Sequence, residues 1–233
     1  MRALVVTAVP PERDAVTRAA AAPPEVVELP GGGVLHRVSL GGCALDALAA
    51  GVGPAAAAAG TAVALTAAEL AGAPYGAVVC AGIGGGFGVP PGRPVVASAI
   101  VAADLGAETA EGFLPVTELG FGVCEHRPPP ARARALADAV GAALGSVLTV
   151  STVTGTAAGA AELVRRHPDA VAEAMEGFGV AQAAAGYGTP VFELRAVSNA
   201  VGPRDRAAWR VPEALTALTG AFRAAIPVLE GWT

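Results

Sequence analysis

The sequence predicts an α/β fold, a three-layer α/β/α sandwich around a central mixed β-sheet. Three observations carry this. Short β-rich apolar runs alternate with helical stretches over most of the chain, which is the pattern of a sheet covered on both faces. Residues 25 to 52 instead read as Val/Leu-rich segments punctuated by Gly31-Gly32-Gly33 and Gly41-Gly42, an antiparallel meander that makes the sheet mixed. Hydrophobic residues form 53% of the 233, and the 31 Gly and 19 Pro lie scattered between apolar runs, so a packed core is expected and disorder is not. A single domain spanning residues 1-233 follows, since no composition shift marks a linker.

In chain order, Arg2 to Ala8 reads as a strand buried on both faces and ended by Pro10-Pro11. A helix should follow with Glu12 in its first turn, where the helix dipole alone would favour a carboxylate. Gly51-Val52-Gly53-Pro54 launches an Ala-rich helix to about Leu70, and Tyr75 to Ala81 is a strand running into a glycine loop, Gly82-Ile83-Gly84-Gly85-Gly86-Phe87-Gly88. That loop misses the dinucleotide spacing and meets Pro90-Pro91 where a phosphate-binding helix should begin, so no Rossmann cofactor is expected. Its glycines serve either a tight turn or close approach of backbone to a ligand. Val95 to Ala103 is a strand, and Leu105 to Pro130 an irregular stretch holding Phe113, Phe121, His126 and Arg127. Helices are predicted over 131 to 144, 156 to 166, 175 to 187 and 212 to 229, with strands over 147 to 153 and from Val191 to Asn199.

Several function classes are disfavoured. Net charge is −5, all fifteen basic residues are Arg, and none cluster, so nucleic acid is not an expected partner. The most apolar helix, Ala55 to Ala71, is mostly Ala and carries Glu69, so no membrane partner is expected either. The N-terminal run is a strand rather than a signal peptide, and three cysteines, Cys43, Cys80 and Cys124, suit a reducing cytoplasm. His36, His126 and His167 lie far apart, and the cysteines lack ligand spacing, so neither a metal site nor a cofactor is expected. Trp209 and Cys80 read as packing residues.

Candidate chemistry gathers at Ala174-Met175-Glu176-Gly177 and at the end of Val191-Phe192-Glu193-Leu194-Arg195-Ala196-Val197-Ser198-Asn199. A carboxylate opening a helix, beside a strand that ends in a polar pair, suits a small-molecule site at the edge of an α/β sheet. With Glu12, Gly51-Val52-Gly53 and the Gly82 loop, these motifs resemble the purine nucleoside phosphorylase/nucleosidase superfamily over nearly the whole chain. Within it the chain looks most like the hydrolytic branch of methylthioadenosine/S-adenosylhomocysteine nucleosidases and futalosine hydrolases.

The resemblance implies that Glu12 is the general base for water and that Met175 and Glu176 grip the ribose. It places Ser198 and Asn199 at the leaving base, with Asn199 catalytic, and Gly82 and Ile83 along the sugar. Asn199 stands where adenine-cleaving relatives carry Asp, and an amide donates to O6 and N7 of a 6-oxopurine, so hypoxanthine is the expected leaving base. Val153 and Thr154 take the place of a stacking Phe, and Ile83 that of a small hydroxyl residue. Cys80 occupies the position of a phosphate-binding Arg in the phosphorylases, which favours water over phosphate, although Arg13 could still bind an anion. Arg204, within Val201-Gly202-Pro203-Arg204-Asp205, either contacts substrate or caps the surface. The resemblance further implies a homodimer in which a neighbour's loop near Phe113-Leu114-Pro115 completes the pocket. The alternatives are an adenine-directed nucleosidase, a phosphorylase, or a nucleoside-binding protein without turnover.

Overall fold

A computed structural model describes residues 1–232. The first strand, β1 (Arg2–Thr7), is followed by α1 (Pro10–Thr17), then by the meander β2 (Glu25–Glu28), β3 (Val34–Leu40) and β4 (Cys43–Ala49). After α2 (Pro54–Leu70) come β5 (Ala77–Gly86) and β6 (Pro94–Ala102), the hairpin β7 (Gly106–Thr109) and β8 (Gly112–Pro115), and the short β9 (Glu125–His126). The remainder is α3 (Pro130–Val140), β10 (Ala143–Thr149), α4 (Ala157–Arg166), β11 (Ala170–Ala174), α5 (Gly177–Gly186), β12 (Val191–Ala200) and α6 (Val211–Glu230).

The main sheet runs β11-β10-β6-β12-β5-β1-β4-β3-β2 and is mixed, as expected from the sequence. β1 pairs in parallel with β4 and β5, while β2, β3 and β4 form the antiparallel meander. Strand alternation divides the core into layers. Ala3 and Val5 of β1 pack with Val16 of α1, Leu136 of α3 and Phe222 of α6. Their neighbours Leu4 and Val6 face Leu65 of α2 and Val180 of α5 on the opposite side. A small third cluster sets Leu163 of α4 on Val101 and Leu148.

Three elements differ from the sequence expectation. The glycine stretch after Ala81 is not a loop: Gly82 to Gly86 continue β5, pairing with β12 along one edge. At its end β5 also pairs with β11, Glu173 opposite Gly85 and Ala172 opposite Gly86, so that β5, β12, β6, β10 and β11 close on themselves. The glycines permit this approach, because a Cβ on Gly84 would stand 2.7 Å from the carbonyl oxygen of Glu173. β11 itself was not expected. Finally, the irregular stretch contains the β7–β8 hairpin and β9.

Candidate active site

A cavity of about 320 Å³ opens at the C-terminal ends of β1, β5, β11 and β12, where an α/β sheet presents loops and helix starts to a ligand. Of the residues the sequence singled out, Glu12, Ile83, Val153, Thr154, Met175, Glu176, Ser198, Asn199 and Arg204 all line it. Gly82 does not. It lies behind the wall, where an added Cβ would come within 2.5 Å of Glu12 Oε1 and 2.7 Å of an Arg195 guanidinium nitrogen. Its role is to let those two side chains pass, and the wall at this point is formed by Ile83, Gly84 and Gly85.

Glu12 sits in the first turn of α1 and is only 4% exposed. Its Oε2 accepts the backbone N–H groups of Ala8 (3.0 Å) and Val9 (3.3 Å), and its Oε1 accepts that of Ile83 (2.8 Å). Burial raises its pKa above the ordinary carboxylate value, against the opposing pull of Arg195 and these N–H donors. A fixed carboxylate with raised proton affinity on a cavity wall is suited to general-base work.

Glu176 lies at the junction of β11 and α5, with Oε1 accepting the N–H of Gly53 at 3.1 Å. α2 and α5 pack so closely here that a Cβ on Gly179 would overlap the carbonyl of Pro54, which holds the Gly53 turn against Glu176. Glu176 Oε2 is 3.2 Å from Arg195 Nη2. The Arg195 Nε donates to Glu193 Oε1 at 2.9 Å, and Nη2 also donates to Cys80 Sγ at 3.1 Å. Cys80 is therefore a buried acceptor for Arg195 as well as a small core residue. Arg195 and Glu193 were not singled out from the sequence as site residues. They anchor it from below: both are buried in β12, and the guanidinium is shared by Glu193 and Glu176 while attracting Glu12 electrostatically.

At the other side of the cavity, Ser198 Oγ donates to Asn199 Oδ1 at 2.7 Å, and Asn199 Nδ2 donates to the carbonyl of Ala200 at 2.9 Å. The amide is thereby oriented with one N–H left for a ligand. Glu173 is a third lining carboxylate, not expected from the sequence. It is buried, its Oε1 accepts the N–H of Thr154 at 2.9 Å, its Oε2 accepts the Thr154 hydroxyl, and burial raises its pKa. Trp209, expected to be a packing residue, is partly exposed and lines the cavity, with the Arg204 guanidinium 5.8 Å from its ring centroid. Arg204 is the cation on a wall whose other charged groups, Glu12, Glu173 and Glu176, are acidic. Arg13 pairs with Asp14 at 2.8 Å. Among the described residues no group of three or more His, Cys, Asp or Glu is arranged to hold a metal ion, and no helix is long and apolar enough to cross a membrane.

Comparison with known proteins identifies the family. The curated futalosine hydrolase of Streptomyces coelicolor is 65% identical over 100% of this chain and 98% of its own length. That of Acidothermus cellulolyticus is 49% identical over 64% of each chain. Among solved structures, the methylthioadenosine/S-adenosylhomocysteine nucleosidase of Colwellia psychrerythraea in complex with adenine superposes with TM-score 0.83 at 21% identity, covering 98% of this chain and 96% of that one. The futalosine hydrolase of Helicobacter pylori superposes with TM-score 0.80 at 17% identity, covering 99% and 98%, and both likenesses are of fold. The family pattern of the phosphorylase superfamily matches residues 2–227, and with its full-length likeness to the Streptomyces enzyme the chain belongs to that superfamily, among the futalosine hydrolases.

Proposed function

We propose that the chain is an N-glycosidase that hydrolyses futalosine to hypoxanthine and dehypoxanthine futalosine, a step on the futalosine route to menaquinone. The observation that carries this reading is the oriented Asn199 amide lining one cavity together with Glu12 and Glu176, in a chain 65% identical to a futalosine hydrolase along its whole length. Glu12 takes a proton from water as the water oxygen bonds to C1′ of the ribose. The C1′–N9 bond breaks and its electron pair passes into the purine. Glu176 accepts the ribose hydroxyls and stabilises the cationic sugar of the transition state. The free Asn199 N–H stabilises negative charge developing at N7 and O6, and the base then takes up a proton from solvent to leave as neutral hypoxanthine.

Water rather than phosphate suits the site because no cation is free deep in the cavity. Arg195 is engaged by Glu193, Glu176 and Cys80, and Arg13 by Asp14. Arg204, the cation among the described lining residues, suits the carboxylate on the aromatic arm of futalosine, which the acidic interior repels. The test is release of free base from futalosine, inosine and methylthioadenosine, with and without phosphate. Hypoxanthine from futalosine, independent of phosphate, is the expected result, and a phosphate requirement or preference for methylthioadenosine overturns it.

Asn199→Asp is expected to lower futalosine cleavage by ~10²-fold, since a carboxylate facing O6 replaces a donor with an acceptor. Ser198 can still donate to Oδ1, while the bond from Nδ2 to the Ala200 carbonyl is lost, so part of the loss comes from a less firmly held side chain. Activity should recover in part as pH falls and the new carboxyl gains a proton. An unchanged rate measured on futalosine removes Asn199 from base recognition.

We also propose a cytoplasmic homodimer. The support is three free cysteines, two of them buried, and exposed apolar side chains at Leu105, Phe121 and Val123 flanking the β7–β8 hairpin. Phe113 within the hairpin is already covered by the Arg166 guanidinium, 4.5 Å from its ring, so the exposed neighbours are the better anchors. Sedimentation should give a dimer that Phe121→Asp weakens; a fully active monomer at micromolar concentration contradicts it.

A further inference from the structure

Glu173 is a buried carboxylate on the cavity wall for which hydrolysis of the glycosidic bond has no use. Resting on the proposed cleavage of a 6-oxopurine nucleoside, we propose that Glu173 reads the six-membered ring of the leaving base by accepting its N1–H.

The sheet register places it for this. Glu173 of β11 and Asn199 of β12 are both partners of Gly85 of β5, one on each side, and both line the cavity. Two inter-strand spacings, roughly 10 Å, separate such positions, room for a bicyclic base with a hydrogen bond at each edge. A base whose O6 and N7 meet Asn199 turns its adjacent N1–H, on the other side of O6, towards Glu173. Gly85 between them carries no side chain; a Cβ there would stand 2.7 Å from Val201 Cγ2 and 3.4 Å from Asn199 Nδ2, so its absence lets Val201 and the Asn199 amide pack over β5 at the cavity wall.

The donor and acceptor pattern agrees. Both oxygens of Glu173 are held by Thr154, one by its N–H and one by its hydroxyl, and each retains an acceptor site. Two donors and no acceptor around the carboxyl match its ionised form. A 6-oxopurine carries hydrogen on N1, whereas a 6-aminopurine presents a lone pair there, which the carboxylate repels. The Thr154 N–H, which could otherwise have served such a lone pair, is occupied by Glu173. The wall therefore accepts one tautomeric pattern and rejects the other, at the N1 edge, which adjoins the O6/N7 edge met by Asn199.

A structural brace for Thr154 would be indifferent to the base, so binding of free bases separates the roles. Titration calorimetry of the wild-type chain with hypoxanthine, 1-methylhypoxanthine and adenine should show hypoxanthine binding ~10²-fold more tightly than the other two, the scale of one hydrogen bond to a charged group. Glu173→Gln should weaken hypoxanthine by ~10–10²-fold without weakening adenine, and Glu173→Ala should bring hypoxanthine and its 1-methyl analogue to within a few-fold. Equal wild-type affinities, no hypoxanthine binding, or equal losses for all three bases in the variants overturn the proposal. The wild-type ratio stands even if a variant fails to fold. Futalosine hydrolysis is scored separately: failure to release hypoxanthine removes the functional reading, whereas release without base discrimination removes only the role of Glu173.

Discussion

Glu12→Gln should hold substrate affinity within several-fold of the wild type and lower turnover by ~10²-fold or more. The amide keeps the size of the carboxylate and one acceptor, which can serve Ala8 and Val9, while its NH2 stands opposite the Ile83 N–H, so the site keeps its shape but loses charge complementarity and one hydrogen bond. What disappears is the ability to take a proton from water. The pH profile supplies the independent check. Burial raises the Glu12 pKa, and the ionised form is the base, so kcat/KM should be sustained at high pH and fall as pH drops through that raised value. This acid limb should lie above the ordinary carboxylate range of about 4.3. It should be absent from the residual activity of Glu12→Gln. Near-normal turnover, or an unaltered acid limb in the variant, removes Glu12 from the mechanism.

Glu12 was legible from sequence because a family motif and a helix start coincide there, and Glu176 because a carboxylate precedes a Gly/Ala-rich helix. The strands from β1 to β6 were legible because Val and Leu runs are unambiguous. β11 was not, since Ala170-Val171-Ala172-Glu173-Ala174 has weak strand preference and is held extended by pairing with β10 and β5. Missing β11 concealed Glu173, which has meaning only once its neighbours across Gly85 are known. Gly82 to Gly86 misled in the opposite direction: glycine normally weakens a strand, yet here its absent side chain admits Glu12, Arg195 and the backbone of β11. Glu193 and Arg195 interrupt an otherwise apolar strand at an i, i+2 spacing, which sets both on one face of a sheet buried on both sides. Charges persist in such a place only when they are paired.

That pairing sets up the largest expected loss of stability. Arg195→Met keeps most of the side-chain length and removes the guanidinium that Glu193 and Glu176 share and that attracts Glu12. Glu193 has one oxygen, Oε2, already without a partner, and burial raises its pKa against the pull of Arg195. Without the cation, three neighbouring carboxylates face one another with little water to screen them. Removing one partner of a buried ion pair costs about 3–5 kcal/mol, which in a chain of this size lowers Tm by roughly 6–20 °C. The sign of the pH dependence follows from the carboxylates left behind. With Arg195 gone, the folded-state pKa values of Glu193 and Glu12 rise further above those of the unfolded chain, so folding takes up protons. The penalty is then complete at pH above the folded values and is relieved as pH falls towards the unfolded ones. Melting curves of wild type and Arg195→Met should accordingly lie farthest apart at alkaline pH and converge on acidification. The acid limb of any remaining activity should move upward with the Glu12 pKa. A variant that melts with the wild type at every pH would mean that Arg195 does not hold these carboxylates together.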